Sequence, residues 1–247
     1  MTDLAIIGGT GLTSLSTLQI LRRRMVRTPY GEPSGPLIFG ELKGKEVVFL
    51  PRHGSGHTIA PHNVNYRANI WAIQNTGASK VIAVAAVGVI TKKMKPASLL
   101  FPDQILDYTW GRKSTFNDSS SNKVVHTDFT YPYSDVMREL LIQASVKTRI
   151  SAITTGVYAA TQGPRLESAA EINRIERDGG DVVGMTGMPE TVLARELGLE
   201  YACCAVGANW AAGRSKEGII TMAEIRKNLD QGMGQVRNLL EALITLL

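Results

Sequence analysis

The sequence predicts a single α/β domain with a largely parallel or mixed sheet, on three observations. The apolar run Leu4-Ala5-Ile6-Ile7 leads straight into Gly8-Gly9-Thr10-Gly11, the pattern of a buried strand ending in a tight turn. From residue 153 onward strand-like and helix-like stretches alternate, as they do when helices pack on a sheet. The 247 residues show no internal repeat and no linker long enough to divide them, and 44% hydrophobic residues supply one sizeable core. The expected domain is residues 1–247.

The elements follow in order. Residues 37–50, interrupted at Lys43-Gly44, read as a hairpin, and 63–75 as a helix. Residues 81–87 form a continuous apolar run, the mark of a buried strand. Residues 135–147 have helical spacing, with Val136, Leu140 and Leu141 on one side. A strand at 153–158, a helix at 167–177 and a brief strand at Val182-Val183 come next. Pro189 opens another helix, because its fixed φ suits the first helical position. Residues 201–207, small and apolar, read as a buried strand. Thr221-x-x-Glu224 is a capping box, and its helix is expected to reach the C-terminus with Leu229, Met233, Val236, Leu240 and Leu243 on one buried face. Gly232 and Gly234 count against that helix. The polar stretch 110–123, with its run Ser119-Ser120-Ser121, reads as a mobile surface loop.

Composition narrows the function. The charge of +5, from 27 Lys+Arg against 22 Asp+Glu, is mild, and the clusters Arg22-Arg23-Arg24 and Lys92-Lys93 are short. These read as solvated faces rather than a nucleic-acid stripe, and 6% aromatics are too sparse for base stacking. A small anionic ligand suits the charge equally well. No apolar run reaches the roughly 18–20 residues that a membrane span needs. The two cysteines, Cys203 and Cys204, are adjacent and poorly placed for a disulfide, and the N-terminus does not resemble a signal peptide. A cytoplasmic protein is expected.

Several segments can carry chemistry. In Gly8-Gly9-Thr10-Gly11, successive N–H groups after a strand can cradle an anion, with the Thr10 hydroxyl as a further donor. A plain tight turn and a dinucleotide site compete with that reading. The dinucleotide pattern lacks its third glycine, and Arg22-Arg23-Arg24 stands near where an acidic ribose ligand belongs. Arg52 and His53, just past an apolar strand, offer a forked cation and a second donor for phosphate. His57 and His62 are spaced as metal ligands might be, but neither a cysteine nor a convincing carboxylate accompanies them, so no metal is expected. Gly184-Met185-Thr186-Gly187 brings glycines and a hydroxyl to a helix start, where a ligand can approach the backbone. Asn209 either caps a turn or binds a ligand's polar edge.

Taken together, five segments carry a resemblance. Gly-Gly-Thr-Gly at 8–11, Pro-Arg-His-Gly at 51–54, Asn65-Tyr66-Arg67-Ala68-Asn69, the stretch from Thr161 to Glu167 and that from Gly184 to Glu190 stand in the order found in trimeric purine nucleoside phosphorylases. The chain resembles the branch that contains 5′-methylthioadenosine phosphorylase, most closely its methylthioinosine-cleaving members, over essentially its whole length. The resemblance implies one α/β domain around a mixed, partly barrel-like sheet flanked by helices, assembled as a homotrimer with each site near a neighbouring subunit. It implies phosphorolysis of a purine nucleoside, with inorganic phosphate as co-substrate and neither a metal nor an organic cofactor.

By the same resemblance, phosphate is held by Thr10, Arg52, His53, the backbone at Ala85-Ala86, and Thr186, so that Arg52→Ala impairs phosphate use and leaves the fold largely intact. Met185 lies against the ribose, while Leu166, Glu167 and the segment Asn209-Trp210-Ala211 bound the base. His126, Ile220 and Met222 match positions near the 5′ substituent. Arg52, His53 and Asn209 are the expected catalytic residues. Two departures stand out: Ala85 lacks a side-chain donor that the family usually has, and Val89 replaces a residue with little side chain. One lost hydrogen bond to a charged ligand costs about 1.5–3 kcal/mol, so weaker phosphate binding is expected.

Adenine-cleaving members carry two aspartates, Asp-x-Asp, where this chain has Asn209 and Ala211. A carboxylate only accepts, which suits a 6-amino group, whereas an amide both donates and accepts and can face a 6-oxo group together with N7–H. The apolar pair Ile220 and Met222 suits a 5′-methylthio group. The expected substrate is therefore S-methyl-5′-thioinosine or another 6-oxopurine nucleoside. A methylthioadenosine phosphorylase, and a non-catalytic purine- or phosphate-binding protein, are the alternatives.

Overall fold

A computed structural model describes residues 3–9, 18–118, 124–215 and 218–247. Its strands are β1 (Leu4–Gly8), β2 (Gln19–Arg24), β3 (Leu37–Leu42), β4 (Lys45–Pro51), β5 (Lys80–Val89), β6 (Leu99–Leu100), β7 (Gln104–Asp107), β8 (Ala152–Ile153), β9 (Val157–Ala160), β10 (Val182–Gly184) and β11 (Glu200–Trp210). The helices are α1 (Tyr66–Gln74), α2 (Asp135–Lys147), α3 (Ala169–Arg177), α4 (Gly187–Glu196) and α5 (Met222–Ile244). Thr10 and residues 119–123 of the expected loop lie outside the described residues.

The mixed sheet is organised by β5. Along one edge β5 runs parallel to β11 from Lys80 to Val89. Its other edge is divided: β1 pairs in parallel with residues 80–83, and β10 pairs antiparallel with Gly88 and Val89. The sheet therefore forks, leaving residues 84–87 without a strand neighbour on that side. One arm continues through β4, β3 and β2, and the other through β9 and β7. Helices α1 and α4 cover one face over Ile7, Val81 and Ala83. Helices α2 and α5 cover the other over Ile6, Val84 and Val206. Among the described residues no helix is long and apolar enough to cross a membrane.

The expected single α/β domain with a mixed sheet is what the chain forms. In α5, Leu229, Met233, Val236, Leu240 and Leu243 are all buried, and the Thr221 hydroxyl accepts from the Glu224 N–H. Gly232, which counted against this helix, is explained by packing: a Cβ there would lie 2.4 Å from Val206 on β11. Cys203 and Cys204 are free thiols buried in β11.

Several boundaries differ from expectation. The strand expected at 153–158 is two strands, β8 and β9, because the N–H groups of Gly156 and Val157 turn to Asp103 (2.7 Å) and Asp181 (2.9 Å). Helix α3 begins after Ser168, whose hydroxyl and the Glu171 carboxylate form a reciprocal capping box, so Glu167 stands outside it. On α2 the buried residues are Met137, Leu141 and Ala144, while Val136 is 56% exposed. Residues 19–24 form an edge strand exposed at every position, which keeps Arg22-Arg23-Arg24 on a solvated face.

Candidate active site

The fork in the sheet is filled by an arginine. Arg52 follows the last residue of β4, and its N–H donates to the Gly8 carbonyl (2.8 Å). Its Nη1 enters the gap and donates to the Val84 carbonyl at 2.9 Å. Its Nε and Nη2 donate to the two oxygens of Glu190 at 2.6 and 2.8 Å, a bidentate pair. Both side chains are sealed, Arg52 at 1% exposure and Glu190 at 0%. Burial works against the charge on Arg52, but the Glu190 carboxylate outweighs it and holds the guanidinium above its ordinary pKa. Tyr201 also donates to Glu190, at 2.8 Å.

His53 is locked beside it, its Nδ1 2.8 Å from the Ile59 carbonyl. Burial, with the Arg52 charge second, lowers its pKa to about 4, so the ring is neutral near pH 7. A carbonyl only accepts, hence Nδ1 carries the proton and Nε2 is left with a lone pair. The sequence reading of His53 as a donor to phosphate is thus corrected: in this state its free nitrogen accepts.

A cavity of about 320 Å³ opens at the fork. One end is formed by Gly9, Arg52, His53, Ala85, Ala86 and Thr186. Val84 turns its carbonyl into the gap, and strand alternation turns the N–H of Ala86 the same way. Val89 does not line the cavity. Its side chain points at Gly207, where the missing Cβ leaves room, so only Ala85 removes a donor from this end.

The other end takes Met185, Leu166, Glu167, Asn209 and Ala211. Thr161 donates to Glu167 at 2.6 Å, fixing the carboxylate next to α3. Asn209 and Ala211 arrive through a β-bulge: between Gly207 and Asn209 the register against β5 shifts, leaving Ala208 as the extra residue. The Asn209 amide donates to the Trp210 carbonyl at 2.7 Å, which fixes its nitrogen and leaves the oxygen and one N–H. Ile220, Met222, Ile225 and Leu229 add an apolar wall at the start of α5.

Two expected site residues are not brought to this cavity. Trp210, between Asn209 and Ala211 on a strand, faces the opposite side and packs on the α1–α4 core. His126 is exposed and does not line this chain's cavity. Thr10 lies outside the described residues; its neighbour Gly9 lines the cavity at the Arg52–His53 end. The segment 65–69 is scaffold: Asn65 caps α1, and Asn69 exchanges hydrogen bonds with Ser34.

Sequence reasoning missed Glu190, Tyr201 and Arg112. Glu190 lies in a quoted motif, but nothing local shows that it pairs with Arg52, 138 residues away. Arg112 was hidden in a polar stretch that reads as loop. A second cavity, of about 390 Å³, shares Glu167 and is bordered by Tyr108, Trp110 and Arg165. Arg165 is already paired with Glu171 at 2.7 Å, so it offers an anion little. Among the described residues no group of three His, Cys, Asp or Glu is placed to hold a metal.

The chain is 54% identical over 227 residues (92% of this chain, 91% of the relative) to a probable S-methyl-5′-thioinosine phosphorylase of Xanthomonas campestris. It is 41% identical over 252 residues (100% and 94%) to a 6-oxopurine nucleoside phosphorylase of Pyrococcus furiosus. Methylthioadenosine phosphorylase from Schistosoma mansoni, solved in complex with adenine, superposes with a TM-score of 0.95 at 31% identity, covering 100% of this chain and 92% of that one. The phosphorylase superfamily model matches residues 3–245, and with a forked sheet that opens one cavity between an arginine–histidine end and an asparagine end, the chain belongs to that superfamily.

Proposed function

We propose that this protein is a purine nucleoside phosphorylase whose preferred substrate is S-methyl-5′-thioinosine, with other 6-oxopurine nucleosides next. Phosphate attacks the ribose C1′, the bond to the purine nitrogen breaks, and the products are free base and a sugar 1-phosphate. The observation that carries the reading is Asn209, fixed by Trp210 so that an oxygen and one N–H remain in a cavity whose other end is built for an anion. The oxygen can accept from the N7–H of the leaving purine and the N–H can meet a 6-oxo group, while Glu167 accepts from a further ring N–H. The names of the relatives above support the same class.

The anion end has a consequence for rate. The Arg52 charge is matched by Glu190 and His53 is neutral, so a phosphate dianion there is held by N–H groups rather than cancelled. Its charge stays available to stabilise the oxocarbenium-like ribose as the bond breaks, which favours the transition state over the ground state. The lone pair at His53 Nε2 can accept a hydrogen bond from the O–H of hydrogen phosphate, which keeps its proton. In this reading phosphate is a co-substrate and no metal or organic cofactor takes part.

The homotrimer belongs to the same proposal. At the cavity mouth Leu166 and Met222 are 48% and 63% exposed, apolar surface that a neighbouring subunit would cover. His126, away from its own cavity, would then reach a neighbour's.

Base release from inosine, adenosine and their 5′-methylthio forms, each with and without phosphate, tests the reading. Release should require phosphate and be most efficient for methylthioinosine, ahead of inosine by roughly 10–200-fold, the usual range for a small apolar group in a pocket. Release without phosphate, or none at all, overturns phosphorolysis; preference for methylthioadenosine overturns the assignment of the base. Met222→His should move the preference from methylthioinosine toward inosine. Because Met222 is mostly exposed, the shift should stay below about tenfold, and an unmoved ratio of catalytic efficiencies would take Met222 out of the 5′ pocket.

A further inference from the structure

Arg112 lies in the stretch that the sequence presents as loop, yet it bonds two segments that lead into the cavity lining, and Tyr66 of the scaffold beside them. Nη1 donates to the carbonyls of Met185 (2.8 Å) and Met188 (2.5 Å) and is 3.2 Å from the Tyr66 hydroxyl. Nη2 donates to the carbonyls of Thr161 (3.2 Å) and Gln162 (2.9 Å), and Nε to the Gln162 side-chain oxygen (3.1 Å). Tyr66 gives its own proton to the Pro61 carbonyl, so toward Arg112 it accepts. These acceptors are all neutral. The five N–H groups of the guanidinium are shared among six of them.

The two sets of carbonyls lie just past the ends of the paired strands β9 and β10, where the Thr161 N–H donates to the Gly184 carbonyl (2.8 Å) and the two chains part. Beyond β10, Met185 and Thr186 line the cavity, and Met188, with non-helical φ −116° and ψ 139°, stands two residues before Glu190. Thr161 and Gln162 lead into Leu166 and Glu167 on the base side, where Thr161 also holds the Glu167 carboxylate. A planar fork with fixed angles sets the separation of two backbone segments in a way that a lysine ammonium, a point donor, cannot.

We infer that Arg112 is a positioning residue that fixes how the chain leaves β9 and β10, and so where Met185 and Glu167 stand relative to each other in the cavity. It touches neither substrate and acts through Met185, Met188, Thr161 and Gln162. The inference rests on the phosphorolysis reading, because the groups it places, Met185 and Glu167, are the ones that reading sets against ribose and purine.

The test is steady-state kinetics on Arg112→Lys, Arg112→Gln and Arg112→Ala, beside thermal melts of each. Misplacing reacting groups by about 1 Å can cost about 100-fold in rate, and Arg112→Lys and Arg112→Gln should both lose that much, chiefly in kcat, although only one of them loses the charge. Arg112→Ala should regain turnover when guanidinium is added at concentrations that leave the wild type unaffected, and should not regain it with ammonium. Variants with wild-type kcat overturn the inference, as does a loss that follows the melting temperature and that guanidinium does not restore. If the wild type itself releases no base with phosphate, the phosphorolysis reading fails; if it does and the variants match it, only the role of Arg112 fails.

Discussion

Arg52→Ala is expected to destabilise the whole protein as well as to stop phosphate use. The substitution removes both strong partners of Glu190, a carboxylate with 0% exposure, and leaves it only the Tyr201 hydroxyl among the bonds described here. Breaking a buried ion pair from one side costs about 3–5 kcal/mol, a large share of the roughly 5–15 kcal/mol that holds a typical domain together. For a chain of this length that corresponds to a fall in Tm on the order of 10 °C. The expectation from sequence, that the fold survives this change largely intact, is therefore corrected by the burial of the pair. Arg52→Met combined with Glu190→Leu separates the two roles. Removing both charges together spares the orphaned carboxylate, so much of the stability should return while phosphate-dependent base release stays absent. Thermal melts and an activity assay on the single and double variants decide it. A single variant that melts like the wild type would mean the pair is not coupled as its distances indicate, and an active double variant would remove Arg52 from the anion end.

Asn209→Asp should lower the ratio of catalytic efficiencies for methylthioinosine over methylthioadenosine by roughly ten- to a hundred-fold, the worth of one hydrogen bond to a charged group at about 1.5–3 kcal/mol. An aspartate only accepts and would repel negative charge building on hypoxanthine as it leaves. The structure adds a second cost. The Asn209 nitrogen donates to the Trp210 carbonyl, and a carboxylate there would set oxygen against oxygen, which favours uptake of a proton. Asn209 also lies within β11 rather than beyond its end, so the idea that it simply caps a turn, and that aspartate would preserve that cap, does not describe it. Full conversion to adenine cleavage is not expected, because Ala211 supplies no second carboxylate. A ratio that does not move takes Asn209 out of the base site.

Periodic elements were legible in the sequence and negotiated ones were not. The buried face of α5 repeats regularly and β5 is one continuous apolar run, so their positions follow from the hydrophobic pattern alone. The break between β8 and β9 depends on Asp103 and Asp181, which reach it from elsewhere in the chain. At the site, Arg52, His53 and Thr186 stand in short runs of glycines, hydroxyls or cations that mark them, whereas Ala85, Ala86, Leu166, Glu167, Ala211, Ile220 and Met222 were named only through the resemblance to a family. The partners that set their state could not be read from the sequence: Glu190 neutralises Arg52, and the Ile59 carbonyl decides which nitrogen of His53 is free. Trp210 was within reach, because extending the strand expected at 201–207 by three residues would have turned it away from Asn209 and Ala211.

The fork at β5 bears on how such a site is mapped by mutation. Between Ala83 and Gly88 one edge of the strand offers its main chain to the cavity, and two of the four side chains there, Ala85 and Ala86, are already as short as a scan would make them. In the proposed reading, an alanine survey of this protein would pass over Ala85 and Ala86 in silence and credit the whole grip on phosphate to Arg52, His53 and Thr186. Only chemistry that alters the chain itself, such as an ester in place of the Ala86 amide, would register the contribution of a donor that no codon encodes.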